Sequence, residues 1–198
     1  MSFETSRLGD SSLPNLQHQE AVKFLLHFLG DIHQPLHTEA EERGGTQTPV
    51  VWNGHSGDKY NLHAVWDTFI IEKLTGFKPP KKDPGELKEK AAAQAWAEEL
   101  YEEQGGDPSD ECLPTSGDGD ENLRYVLSWA GEANAEICNF VLNPDPQDQE
   151  LSGEYYEGAV PIVKEMVGKS ARRFANIMNS MGESRVMVDQ DDTRRIDL

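Results

Sequence analysis

The chain has 198 residues, with 36 acidic against 18 basic side chains and a formal net charge of -18. That length is enough to bury one core, and that charge excludes polyanion binding by a broadly basic surface, because releasing counterions needs clustered Lys and Arg. Contact with a polyanion must then be local, at a point where bound multivalent cations reverse the field.

No run approaches the roughly 18 to 20 apolar residues of a membrane span, and the polar opening from Met1 to Leu8 lacks the apolar core of a signal peptide. Residues 1–18 are a polar N-terminal segment. From Gln19 to His33 the run is apolar nearly all round, which predicts a buried helix that stops at Pro35. Residues 43–60, with Gly44, Gly45, Gly54 and Gly57 around Val50, Val51 and Trp52, suggest a loop or short hairpin. A second helix is predicted over 62–74, ending before Gly76. After a Pro- and Lys-rich connector, Lys78 to Gly85, an Ala-, Glu- and Lys-rich helix is predicted over 86–103. A polar loop over 105–120 leads to helices over 121–143 and 155–181, with Pro161 marking the first turn or a kink of the last. The charged stretch 183–198 has few large apolar residues and is expected to be disordered. The fold class is all-α, a mostly helical single domain (19–182) with long loops. Cys112 and Cys138 allow one disulfide or none, because pairing depends on backbone distances that sequence does not supply.

All six histidines (18, 27, 33, 37, 55 and 63) lie in the first third. His27 and Asp31 are one helical turn apart on one face, so both can reach one ion, and His63 and Asp67 repeat that spacing. His37 follows Pro35, where the changed chain direction can present its ring to a different ion. These five nitrogen and carboxylate donors exceed the roughly four positions of a catalytic zinc, one of them water. The economical partition places His37, His63 and Asp67 around one ion with an open position, and His27 with Asp31 as half of a second site. Paired ions about 3.5 to 4 Å apart commonly serve phosphoester hydrolysis. The bland alternative is an ordinary polar pair on a helix surface. His27, between Leu26 and Phe28, is expected to be buried, where a metal or a backbone carbonyl would offset desolvation.

His27-Phe-Leu-Gly-Asp-Ile-His-Gln-Pro-Leu-His37 followed by Asn61-Leu-His-Ala-Val-Trp-Asp67 resembles the double signature of the S1/P1 nuclease family. Gly44-Gly45 resembles its Gly-Gly-Asn turn, with Thr46 in place of Asn, and Trp129-Ala-Gly-Glu-Ala-Asn134 and Ser152-Gly-Glu-Tyr-Tyr156 fit as well. The resemblance, over roughly 19–181, implies the helical fold shared with zinc-dependent phospholipase C, a trinuclear zinc cluster, and hydrolysis of single-stranded DNA and RNA to 5'-phosphorylated products, with 3'-nucleotidase activity. Carried across, His27 and Asp31 look like ligands of one zinc, Asp31 also touching another and serving catalysis, and His37, His63 and Asp67 look like the ligands of the remaining one. Asn61 and Tyr60, beside the second signature, are candidates for the phosphate or sugar pocket. The four tryptophans are expected in the core, His33 in a supporting role, and His18 and His55 in none.

Members of the family begin with a Trp and three further ligands for which this chain has no counterpart. That departure implies an N-terminally truncated domain with one complete zinc site, part of a second, and little or no nuclease activity alone. The resemblance also implies a secreted monomer acting on nucleic acid or nucleotides, and a Cys138 whose partner would lie upstream unless Cys112 replaces it. The competing readings are a zinc-dependent phospholipase C and a non-catalytic zinc-binding remnant.

Overall fold

The structure, a computed structural model, describes residues 7–10, 12–78, 86–105 and 119–194. Cys112, Asp118 and most of the connectors around 79–85 and 106–118 lie outside the described residues, as do residues 1–6 and 195–198. The described residues are mostly helical, with only isolated β-bridges and no strand among them. The helices are α1 (Asn15–His33), α2 (residues 62–75), α3 (Glu86–Gln104), α4 (Gly119–Glu136) and α5 (Glu154–Arg194). The all-α expectation holds. Pro161 lies inside α5 beyond its first turn, and the helix continues to Arg194, into the stretch from 183 for which the sequence led us to expect disorder.

The chain forms two compact units, one of residues 1–31, 107–129 and 169–198, the other of residues 32–106 and 130–168. In the first, Ala21, Leu25 and Leu29 recur at helical spacing and are fully buried. The expectation that α1 is buried all round is corrected here: Phe24, Leu26 and Phe28 are 48, 51 and 38% exposed. In the same unit Arg173 is buried with its guanidinium 4.8 Å from the Trp129 ring centre, which keeps the cation on an aromatic face.

The second unit has a core of Leu36, Val50, Trp52, Leu62, Val65, Trp66 and Ile70, joined by Ile137, Val141, Leu151, Ala159 and Val163. On α2 the buried positions 62, 65, 66 and 70 form one helical stripe, and His63 and Asp67 occupy the adjoining stripe. Residues 65–69 form a π-helical turn, a widening that recurs at functional sites. A second π turn, Ile137–Val141, follows α4. Trp66 Nε1 donates to the Tyr155 hydroxyl at 3.0 Å, which donates to the Val141 carbonyl at 3.0 Å, so the residue before Asp67 is tied to α5 and to the second π turn.

Between the first two helices, Asn53 and Gly54 both adopt positive φ (52° and 74°) and Trp52 pairs with His55, a two-residue hairpin turn. The Glu150 carboxylate caps this turn, accepting from the N–H groups of Asn53 (3.1 Å), Gly54 (2.7 Å) and Ser152 (2.9 Å). Burial opposes its ionisation, yet hydrogen bonds from Ser152, Gly54 and Asn53 bring its carboxyl down to about 2.

Candidate metal centre

The second unit brings His37, His63 and Asp67 together, with one ligand atom from each lying within 4.8 Å of the others; among the described residues no other group of three or more His, Cys, Asp or Glu does so. His37 Nε2 is 3.3 Å from Asp67 Oδ1 and His63 Nε2 is 3.1 Å from Asp67 Oδ2. The two imidazoles are stacked, 5.0 Å between centroids and 14° from parallel. Their side chains are 26 and 25% exposed and that of Asp67 37%, so solvent and small solutes reach the donors.

Local structure explains each placement. α1 ends at His33, and Gln34 takes an extended conformation before Pro35, as a pre-proline residue should. Pro35 opens a short 3-10 turn, Pro35–Thr38, whose buried Leu36 leaves His37 facing outward. Asn134, late in α4, fastens that turn by donating to the Thr38 carbonyl at 3.0 Å. His63 is fixed from the opposite side, its Nδ1 lying 2.8 Å from the Gly44 carbonyl. A carbonyl only accepts, so a proton sits on Nδ1, and Nε2 is the nitrogen that faces Asp67. Gly44 is at φ +64°, and a Cβ there would meet the Leu36 carbonyl oxygen at 2.5 Å. Only glycine brings its carbonyl to this imidazole without strain.

The donor set fits zinc. Two imidazole nitrogens and one carboxylate would leave a position open, as catalytic zinc sites require, and the Gly44 carbonyl supplies the outer-sphere acceptor that ligating histidines use. Each imidazole approaches a different oxygen of the one carboxylate, at 3.3 and 3.1 Å, and one ligand atom from each of the three residues lies within 4.8 Å of the others, close enough for a shared ion.

The remaining expected residues fall as follows. His27 Nε2 lies 3.4 Å from Asp31 Oδ2 on α1, so the one-turn spacing holds, but the side chains are 70 and 41% exposed and the expected burial of His27 is corrected. The pair belongs to no cluster of three among the described residues. Asn61 uses its side chain to cap α2, accepting from the Ala64 N–H at 2.9 Å. Tyr60 packs its ring on Phe69 and His55, 5.6 and 6.0 Å between centroids. His33 is buried, and His18 bonds the Asp10 carbonyl at 2.8 Å. Trp52, Trp66 and Trp129 are buried, and Cys138 is a free, exposed thiol. Gln34 and Asn134, which the ligand spacing did not single out, prove to brace the centre.

The chain is a helical protein in which the Pro35–Thr38 turn and π-turned α2 bring together two His and one Asp that could hold a metal ion. The S1/P1 Nuclease family model matches residues 2–183, and the chain belongs to that family. It is 32% identical to Nuclease P1 of Penicillium citrinum over 188 residues, covering 92% of this chain and 65% of that protein. Nuclease S1 of Aspergillus oryzae (strain ATCC 42149 / RIB 40) is 33% identical over 161 residues, 78% of this chain and 52% of its own length. Endonuclease 2 of Arabidopsis thaliana is 26% identical over 182 residues, 90% of this chain and 56% of its own. The chain thus spans between about half and just under two thirds of these relatives.

Proposed function

We propose that this chain carries zinc-binding machinery of a nuclease that hydrolyses phosphodiesters of single-stranded DNA and RNA, leaving 5'-phosphorylated products. Membership of the family and the names of the relatives support nuclease chemistry. The observation that carries the assignment to this site is the convergence of His37, His63 and Asp67, with the proton of His63 held on the nitrogen facing away.

His37, His63 and Asp67 hold one zinc, and His27 with Asp31 contribute donors to a second, Asp31 being the residue also assigned to catalysis. When bound, zinc supplies Lewis acidity toward a phosphoryl oxygen and makes water a competent nucleophile at neutral pH. The protein's own part is orientation: the Gly44 carbonyl fixes the His63 tautomer, and the Pro35–Thr38 turn sets His37 against Asp67. The formal charge of -18 makes a cation-loaded centre the place where a polyanionic strand can be attracted at all. A secreted location belongs to the same proposal and is supported by the family resemblance.

The test is zinc bound per chain after dialysis, measured together with cleavage of a single-stranded oligonucleotide and analysis of its ends. Wild type is expected to retain zinc and His63→Ala and Asp67→Ala to lose it, and any cleavage that wild type gives is expected to be chelator-sensitive, to leave 5'-phosphate ends and to vanish in both variants. Zinc content that neither substitution changes would remove the assignment.

A further inference from the structure

Gln34 occupies a position that local rules assign to a different residue. It is the N-cap of the Pro35–Thr38 turn, its Oε1 accepting from the Leu36 N–H at 2.6 Å. Ser, Thr, Asp and Asn fill that role better, because a short side chain reaches the second N–H with less entropy lost. The longer Gln side chain does something those residues cannot. From the same amide, Nε2 donates to Asp67 Oδ1 at 2.7 Å, across 33 residues of sequence. The orientation of the amide is settled by its partners, since a backbone N–H requires an oxygen and a carboxylate requires a donor.

We infer that Gln34 is a positioning residue for Asp67, a bridge that locks the carboxylate to the turn bearing His37 and so sets the geometry with which the three donors meet a metal. Asp67 Oδ1 stands 3.3 Å from His37 Nε2 and Oδ2 3.1 Å from His63 Nε2, so rotation of the carboxylate would spoil both approaches at once. Gln34 opposes that rotation from outside the donor set. It does so with a neutral group, which adds no charge to a centre already holding a carboxylate. His37 lies three residues beyond Gln34, and its N–H donates to the Gln34 carbonyl at 3.0 Å, so one residue braces two ligands, one through its backbone and one through its side chain. This deepens the reading of His37, His63 and Asp67 as a zinc centre and rests on it.

The test compares zinc affinity of the full chain, by competition with a chromophoric chelator, for wild type, Gln34→Asn, Gln34→Ala and His63→Ala. The visible absorption of the cobalt-substituted forms is recorded in parallel. Gln34→Asn keeps a good cap and loses the reach to Asp67, and Gln34→Ala loses both. Positioning predicts that both Gln34 variants bind zinc about 10- to 100-fold more weakly than wild type, the usual cost of removing an outer-sphere partner, and that both alter the cobalt spectrum. The metal-free Gln34→Asn chain should unfold at the wild-type temperature. If Gln34→Asn matches wild type in zinc affinity and cobalt spectrum, Gln34 is only a cap and the inference is overturned. His63→Ala reports separately on the centre itself: equal zinc binding by His63→Ala and wild type would defeat the metal assignment, and this inference with it.

Discussion

Replacing Gly44 by Ala isolates the contribution of one close backbone approach to the centre. The new Cβ would sit 2.5 Å from the Leu36 carbonyl oxygen, where ordinary contact begins at 3.4 Å, so one backbone segment must move by about 0.9 Å. An L-residue at φ +64° costs about 1 to 2 kcal/mol, and overpacking of this kind adds about 1 to 3 kcal/mol. The expected loss is therefore about 2 to 5 kcal/mol from a total that is typically about 5 to 15 kcal/mol. The same movement, taken along the 2.8 Å bond from His63 Nδ1 to the Gly44 carbonyl, stretches it to about 3.7 Å, beyond hydrogen-bond length. Zinc affinity should then fall about 10- to 100-fold. Gly54→Ala is the control, because its φ is +74° and nothing lies within 4 Å of the added carbon. It should cost only the conformational share of about 1 to 2 kcal/mol and leave zinc affinity alone. Urea unfolding and zinc titration of both variants decide the matter. Equal destabilisation by the two, with equal zinc affinity, would refute the close approach as the reason for glycine at 44.

Zinc at one hundred times its dissociation constant should stabilise the chain by about 2.7 kcal/mol, raising the melting temperature of wild type and leaving that of His63→Ala unchanged; a shift in both would point to binding elsewhere. Tyr155→Phe should cost about 1 to 3 kcal/mol for each of the two groups it strands, Trp66 Nε1 and the Val141 carbonyl, as read from denaturant midpoints. Glu150 ionises at about 2 in the folded chain against an ordinary 4.5, so its contribution to stability is full above about pH 4.5 and fades as pH falls toward 2. Because the group is exposed and screened, that contribution is at most about 1 kcal/mol. The stability gap between wild type and Glu150→Gln should shrink over that interval, and a constant gap would rule out the cap as its source.

The candidate donors could be picked out in the sequence because metal binding calls for these residue types at helical spacing, and the His63 to Asp67 pair keeps its side chains together even though a π turn widens the helix at 65–69. The groups that orient them could not. Gln34 meets Asp67 across 33 residues and Gly44 meets His63 across 19, and no short-range pattern marks either contact. The Asn53-Gly54 turn carried a usable signal, since that dipeptide is the strongest short-range mark of a two-residue hairpin. α1 misled in another way. Phe24, Leu26 and Phe28 made the helix read as buried on every side, yet only the stripe of Ala21, Leu25 and Leu29 is covered. Apolar residues on a surface are common enough that their presence alone does not establish burial. Asn61 and Tyr60 were singled out for adjacency to the second signature, and the structure uses Asn61 to start α2 and Tyr60 to pack against Phe69.

Gln34, His37, Gly44, His63 and Asp67 all belong to a single unbroken stretch of chain whose ends are 33 residues apart. Joining the ends of so short a segment costs about 3 kcal/mol in chain entropy, and brief segments meet quickly. During biosynthesis, then, the three candidate donors and the two groups that touch them are all added to the chain before α3. Ribosome-stalled chains ending near residue 100 should already capture radioactive zinc, and their failure to do so would show that the later helices are needed first.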